Sequence, residues 1–179
     1  MYLSVGITLP EEARQSLLDL QNHFLDESWI PETFLRLPLC TLGDISDPAI
    51  LEELDHGLAA VRMNDAATLQ PDGFDIFTRR DRITLELRIR SPAIDHLSVK
   101  ILSVVKRAGV KTARQFSPLT IPIATVTTTP PEDVSAWMQL HHATPFEEVT
   151  ISEITLFSSW KNAETTLFVP EADYSFTAF

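Results

Sequence analysis

The sequence predicts an α+β protein of two lobes, and two observations lead to this prediction. Strand and helix patterns alternate in the order β-α-β-α-β-β-α-β-α-β-β, so each half of the chain has helices between strands. A strand with one internal proline also occurs twice, as R-L-P-L-C-T-L from Arg36 to Leu42 and as T-I-P-I-A-T-V from Thr120 to Val126. Proline cannot donate to a sheet ladder and is confined to edges, strand starts and bulges. The matched pair therefore indicates duplicated halves with something facing the two prolines.

The first half begins with a strand at residues 2–8, followed by an amphipathic helix. Thr8 and Glu11 have the spacing of a capping box ahead of that helix. Asp47-Pro48 reads as an N-cap followed by a first-turn proline, which predicts the start of a second helix. An extended segment at residues 74–78 then leads to Arg79-Arg80-Asp81, which we predict to be a hairpin tip.

The second half begins with a strand of clean alternation from Arg82 to Arg90. Its polar face is predicted to be the solvated face of an antiparallel sheet, with the lining of a groove as the alternative. That face consists of Arg82, Thr84, Glu86, Arg88 and Arg90. Ser91-Pro92 and residues 129–132 predict two further helix starts. Strands at 148–157 and 165–169 close the chain, and a change of apolar parity near Ser152-Glu153 predicts a bulge.

Length and composition indicate one domain, residues 1–179, made of two packed lobes. The net charge of -11 argues against non-specific binding to nucleic acid. There is no apolar run of membrane-spanning length and no signal-peptide pattern, and the single cysteine excludes an internal disulfide. We therefore expect a cytoplasmic protein without a membrane association. Neither a glycine-rich phosphate loop nor a metal-ligand spacing is present, so no cofactor and no metal are predicted.

Several short motifs resemble those of the 2H phosphoesterase superfamily, which includes the 2′-5′ RNA ligase-like proteins and the RNA 2′,3′-cyclic phosphodiesterases. They occur in the order found in that family, and the resemblance covers essentially the whole chain. The motifs are V-G-I-T-L-P-E-E from Val5, W-I-P from Trp29, the strand from Leu35 to Gly43, F-S-P from Phe116 and L-F-S-S from Leu156. The resemblance implies a bilobal, pseudo-duplicated fold with mostly antiparallel sheets, helices packed outside and a cleft between the lobes.

The chain departs from this family at its catalytic positions. The family's chemistry depends on two H-x-T motifs, one in each lobe, whose histidines act as general base and general acid and whose threonines bind the phosphate. Here the first motif reads Arg36-Leu37-Pro38, and the second reads Thr120-Ile121-Pro122, or Leu119-Thr120-Ile121 in the alternative register. No histidine stands in either motif, so no catalytic residue can be assigned from the resemblance. The five histidines are predicted to lie on helices, away from the two strands.

We expect the cleft to be lined by Arg36, Pro38, Cys40, Thr120 and Pro122. The first three share a strand face opposite to the leucines. Arg36 is either a clamp for a phosphate or carboxylate, or the ion-pair partner of Asp44 or Glu32. For the thiol of Cys40, an inert buried role is favoured over a nucleophilic one.

Three functions remain open. The first is a pseudoenzyme that binds a small anionic or nucleotide ligand as a binding or regulatory module. The second is an active phosphodiester hydrolase or ligase that uses groups other than histidine. The third is a protein-interaction module with an acidic surface and a vestigial cleft.

Overall fold

The computed structural model describes residues 1–163 and 165–177, and within those ranges the chain forms ten strands and four helices. The helices are α1 (Glu11–Gln21), α2 (Pro48–Ala59), α3 (Pro92–Arg107) and α4 (Pro131–Leu140). The strands are β1 (Tyr2–Thr8), β2 (Trp29–Pro31), β3 (Arg36–Asp44), β4 (Ala67–Arg79), β5 (Arg82–Arg90), β6 (Arg114–Gln115), β7 (Thr120–Val126), β8 (Val149–Ile151), β9 (Glu153–Lys161) and β10 (Thr166–Ser175). None of the described helices is both long and apolar enough to cross a membrane.

Two five-stranded antiparallel sheets form the two lobes. The sheet of lobe 1 has the order β10-β9-β1-β3-β6, and that of lobe 2 has the order β2-β7-β5-β4-β8. This arrangement confirms the predicted two-lobed α+β fold. Two short edge strands are exchanged between the lobes. Strand β2 precedes β3 in sequence but pairs with β7 of lobe 2, and strand β6 precedes β7 but pairs with β3 of lobe 1. Each lobe is therefore built from distant parts of the chain.

The internal repeat extends to the strand register. In lobe 1, Gly6 pairs with Pro38 and Val5 with Cys40, so Leu39 is the extra residue of a β-bulge. In lobe 2, Glu86 pairs with Pro122 and Leu85 with Ala124, so Ile123 is the extra residue at the matching place. This match aligns Arg36-Leu37-Pro38 with Thr120-Ile121-Pro122 and favours that register of the second motif over the alternative.

One large apolar core connects the lobes. It contains buried residues of both sheets, among them Leu37 and Leu39 of β3, Leu87 of β5, and Ile121 and Ile123 of β7. Burying side chains of this size contributes about 1.5–3 kcal/mol each. A second cluster lies under α4, where Trp29 and Trp137 are buried with ring centroids 5.1 Å apart, so both tryptophans pack in the interior.

All four helices begin where the sequence predicted a start, but only two of the four predicted N-caps form. Asp47 accepts a hydrogen bond from the backbone of Ala49 at 2.9 Å, and Ser91 accepts one from Ile94 at 3.3 Å. The two capping boxes were wrong, because prolines occupy the N-cap positions of α1 and α4. Thr8 instead belongs to β1, and its hydroxyl lies 3.2 Å from that of Thr155.

The bulge predicted near Ser152-Glu153 was also wrong. Ser152 separates β8, which pairs with β4 in lobe 2, from β9, which pairs with β1 in lobe 1. The change of apolar parity therefore marks the point where the chain passes from one sheet to the other.

Candidate ligand-binding cleft

A cavity of about 830 Å³ lies between the two sheets, and this main cavity is lined by strands and loops, without any helix residue among its described walls. Strand β3 contributes Arg36, Pro38 and Thr41, and strand β7 contributes Thr120, Pro122 and Thr125. These two sets are equivalent in the repeat, since the matching bulges place Thr41 and Thr125 three residues after the prolines. The volume falls within the range of about 300–1,000 Å³ that accommodates cofactor-sized molecules. Four of the five residues predicted to line the cleft do so.

Cys40 is the exception, and its predicted place on the cleft was wrong. The side chain is completely buried in the core, because the bulge at Leu39 reverses the alternation of β3 after Pro38. The cleft-facing residue beyond the bulge is therefore Thr41. Burial raises the pKa of the Cys40 thiol to about 11. This environment agrees with the inert thiol that the sequence favoured over a nucleophile.

Arg36 is held in a nearly dry position on the cleft wall, with 9% of the residue exposed. Its guanidinium carbon lies 3.5 Å from the centroid of the Phe168 ring, in a stacked contact with β10. The nearest carboxylate belongs to Glu32 at 4.0 Å, whereas Asp44 pairs with the N-terminal amine. Desolvation lowers the pKa of Arg36 to about 10, partly offset by Glu32, and desolvation also raises the pKa of Glu32. Arg36 thus combines a loosely held carboxylate partner with a fixed orientation toward the cavity.

Glu86 is a cavity residue of lobe 2 that the sequence indicated only through its alternative reading of the β5 polar face. The residue is 2% exposed, and its carboxylate accepts hydrogen bonds from Arg79, Thr84 and Thr120. Arg79 binds it in a bidentate manner, with N···O distances of 3.2 and 3.1 Å. Because the hydroxyl proton of Thr120 is donated to Glu86, this motif position can only accept hydrogen bonds from a ligand.

The polar face of β5 is divided between two environments. Arg82, Thr84 and Glu86 line the main cavity, which contradicts the prediction of a solvated face for this part. Arg88 and Arg90 lie outside it and pair with Asp75 and Asp72 of β4 at 2.7 and 3.7 Å.

Basic side chains are concentrated around this cavity. In residues 1–163 and 165–177, the lining includes six of the chain's fourteen lysines and arginines and two of its twenty-five acidic residues, Glu32 and Glu86. Arg36 and Arg79 face those two carboxylates. Within the described parts of the chain, the other four basic residues have no ion-pair partner, and they are Arg80, Arg82, Arg114 and Lys161. The cleft of this acidic protein is therefore positively charged and suited to anions.

A second cavity of about 400 Å³ opens beside the main one on lobe 1, and we call it the side pocket. It is lined by ten residues of mixed aromatic, hydroxyl and basic character: Tyr2, Ser4, Arg36, Thr41, Arg80, Phe116, Ser159, Lys161, Thr166 and Phe168. No carboxylate is among these lining residues in the part of the chain that the structure describes. Arg36 lines both cavities and so lies at their junction.

No histidine lines the main cavity or the side pocket in the described chain. His23 and His141 approach each other, with ring centroids 6.0 Å apart, but they do so beside Trp137 under α4. His56 and His96 lie on exposed faces of α2 and α3. Among the described residues there is also no group of three His, Cys, Asp or Glu side chains that could hold a metal ion.

The fold is similar to that of several solved structures. Escherichia coli LigT in its apo form superimposes with a TM-score of 0.75 at 21% identity, covering 99% of this chain and 98% of that one. The protein TT0787 of Thermus thermophilus gives a TM-score of 0.73 at 18% identity, with 98% of both chains covered. A further structure, described as a phosphoesterase, gives 0.73 at 22% identity over 99% of both chains.

These similarities establish a shared fold, so the resemblance to the 2H phosphoesterases is confirmed at the level of the fold. The sequence matches no protein-family model and no curated protein. LigT has also been solved in complexes with 3′-AMP, NADP⁺, ATP and phosphate.

Proposed function

We propose that this chain is a degenerate member of the 2H phosphoesterase superfamily that binds a small anionic ligand of nucleotide size and does not hydrolyse phosphodiesters. The observation that carries the proposal is the main cavity itself, which collects six basic side chains in a protein of net charge -11. Inorganic phosphate alone would leave most of its 830 Å³ empty. The ligands bound by LigT make phosphate, 3′-AMP, ATP and NADP⁺ the first probes to try.

The loss of catalysis is argued from the motif positions. Acid–base catalysis near neutral pH needs groups that titrate there and reach the substrate oxygens, and each such group typically contributes about 10²–10⁴-fold. Arg36 and Thr120 stand where the family has histidines, and neither titrates near neutrality. Pro38 and Pro122 replace the threonines and have no hydrogen-bond donor on the side chain. The cleft therefore retains charge for binding but lacks the paired proton-transfer groups.

The binding proposal is tested by calorimetric titration of the wild type with phosphate, 3′-AMP, ATP and NADP⁺, and of Arg36→Met and Arg107→Ala with 3′-AMP and ATP. Arg107 is an exposed residue at the end of α3 and serves as the control for lost positive charge. We expect the Arg36 variant to bind about 10–100-fold more weakly, since hydrogen bonds to charged groups contribute about 1.5–3 kcal/mol. The Arg107 variant should bind like the wild type. Wild-type protein that binds none of the four probes at millimolar concentration would contradict the proposal and favour a protein-interaction role instead.

The catalytic part is tested with 2′,3′-cyclic AMP. We expect no hydrolysis above background by the wild type. A variant that restores both motifs, by Arg36→His, Pro38→Thr, Thr120→His and Pro122→Thr, should gain activity. A variant in which only one of the two motifs is restored should not. Turnover by the wild type that survives repurification would contradict the loss of catalysis.

A second candidate, hydrolysis without histidine, is favoured by one group only. Glu32 lines the main cavity, and burial raises the pKa of its carboxyl, which brings it closer to the range of a general acid. Wild-type activity that disappears in Glu32→Gln would support this route. For location we propose the cytoplasm, where an unpaired cysteine such as Cys40 stays reduced.

A further inference from the structure

The side pocket has the chemistry of a site for a phosphoryl group. Three basic side chains line it, Arg36, Arg80 and Lys161, and among the residues that the structure describes no carboxylate lines it. Four hydroxyl residues join them: Ser4, Thr41, Ser159 and Thr166. In the described chain none of these four hydroxyls makes a hydrogen bond to another protein group, whereas Thr84 and Thr120 of lobe 2 are both engaged with Glu86. Free hydroxyls beside convergent cations are the donors that phosphate oxygens require.

Lobe 2 shows how this arrangement accommodates an anion. The strand registers make Glu86 the counterpart of Gly6, Thr84 the counterpart of Ser4 and Thr120 the counterpart of Arg36. In lobe 2, the carboxylate of Glu86 is bound by the side chains of Thr84 and Thr120 together with Arg79. In lobe 1, glycine supplies no carboxylate, and the corresponding donors remain available. Lobe 2 thus contains its own anion, and lobe 1 has the donors without one.

Arg80 reaches the side pocket from the other lobe. Every other residue of the pocket belongs to lobe 1 or to the segment next to β6, whereas Arg80 lies at the tip of the β4–β5 hairpin of lobe 2. It has a φ of 56° and is the one non-glycine residue with positive φ in the described chain. Such a backbone is unfavourable for a side chain with a Cβ, and a hairpin turn of this kind favours glycine or asparagine. The arginine at this position lines both the main cavity and the side pocket.

We propose that a phosphoryl group of the ligand binds in the side pocket, between Ser4, Arg36, Thr41 and Arg80, and not on the midline between Pro38 and Pro122. The proposal deepens the proposed function and depends on it, since it locates the charged group of the same ligand. Arg80 then closes the site across the two lobes, and the organic part of the ligand lies in the main cavity.

The first test uses Arg80→Gly, Arg80→Lys and Arg114→Ala, titrated with ATP and with adenosine, with a melting curve for each protein. Arg114 is the matched control because it lines the main cavity but not the side pocket. We expect Arg80→Gly to bind ATP about tenfold or more weakly, while its melting temperature stays equal or rises because glycine suits the positive φ. Arg80→Lys should retain most of the affinity, Arg114→Ala should lose less than Arg80→Gly, and adenosine should not bind detectably.

The second test compares the two threonines that are equivalent in the repeat. Thr41→Val removes a hydroxyl from both cavities, whereas Thr125→Val removes its counterpart from the main cavity alone. We expect the Kd for ATP to increase about fivefold or more with Thr41→Val and by a smaller factor with Thr125→Val.

The outcomes separate the two proposals. Wild-type protein that binds none of the four probes, phosphate, 3′-AMP, ATP and NADP⁺, would overturn both the proposed function and this inference. Wild-type protein that binds ATP, with Arg80→Gly unchanged or with Thr125→Val the weaker of the threonine pair, would overturn the side-pocket site alone.

Discussion

Single residues in this cleft act mainly by determining whether a neighbouring charge or hydroxyl is available to a ligand. Glu86 pairs with Arg79 and accepts hydrogen bonds from the hydroxyls of Thr84 and Thr120, so that part of the wall has no free charge to offer a ligand. Arg36 has only a distant carboxylate at 4.0 Å and a ring stacked against it. The stacked ring therefore fixes the position of the guanidinium, and its positive charge remains available to an incoming anion.

The Arg88–Asp75 pair outside the cleft gives a prediction about pH. Hydrogen bonds from Arg88 at 3.1 and 2.7 Å lower the pKa of Asp75 from its ordinary value. A lowered folded-state pKa contributes stability above the unfolded-state pKa of about 3.9, and this contribution is lost as the pH falls through the folded-state value. Because both side chains are nearly half exposed, we expect Asp75→Asn to cost about 0.2–1 kcal/mol at pH 7.

The measurement is urea unfolding of the wild type and Asp75→Asn at pH 7 and pH 3, with Arg88→Met and the double variant to complete a cycle. The coupling energy should be present at pH 7 and smaller at pH 3. An equal coupling energy at pH 7 and at pH 3 would show that ionisation of Asp75 does not stabilise the fold.

At the scale of elements, the paired bulges decide which side chains reach the cleft. Leu39 and Ile123 each insert one residue after a proline, so Thr41 and Thr125 turn outward while Cys40 and Ala124 turn into the core. Proline at this place agrees with the bulge, since an irregular ladder tolerates the missing donor.

Strand β1 must approach β3 closely beside that bulge, and Gly6 makes the approach possible. A Cβ on Gly6 would lie 2.8 Å from the carbonyl oxygen of Leu37 and 3.3 Å from Cε2 of Phe157. The carbonyl belongs to the backbone and cannot move away without disturbing the β1–β3 pairing. We therefore expect Gly6→Ala to destabilise the protein by about 1–3 kcal/mol in urea unfolding.

Ser4→Ala is the matched control, because Ser4 lies on the same face of β1 two residues earlier. It should change the free energy of unfolding by no more than about 0.5 kcal/mol. A Gly6 variant as stable as this control would mean that the two strands can separate without penalty.

The sequence was informative about elements and less so about contacts between them. Hydrophobic periodicity and the proline pair were sufficient to predict the lobes, since those signals are local. The four cleft residues were predicted with the help of the family resemblance, which implied the cleft. Cys40 was misplaced because a bulge reverses strand parity without leaving a mark in the hydrophobic pattern. The side pocket was missed because it unites Ser4, Arg80 and Phe168, which are far apart in the chain. The buried role of Glu86 depends on Arg79 and Thr120, and this set too is assembled only by the fold.

For the molecule as a whole, the exchange of β2 and β6 ties the lobes together. Both sheets also share one apolar core, so neither lobe can lose its packing while the other stays intact. We propose that residues 1–179 form a single bilobal domain and expect one two-state transition in scanning calorimetry. Its calorimetric and van't Hoff enthalpies should agree. Two resolved transitions would instead show that the lobes unfold separately.

The distribution of charge has a consequence for how partners approach this protein. An acidic exterior surrounds a basic recess, so a long polyanion such as RNA meets repulsion along most of its length before any phosphate reaches the recess. A compact anion can enter without touching that exterior, and its association should slow as salt screens the attraction over about 8–10 Å. Electrostatics alone would thus discriminate between anions by size, favouring the binding of metabolite-sized molecules over that of polymers.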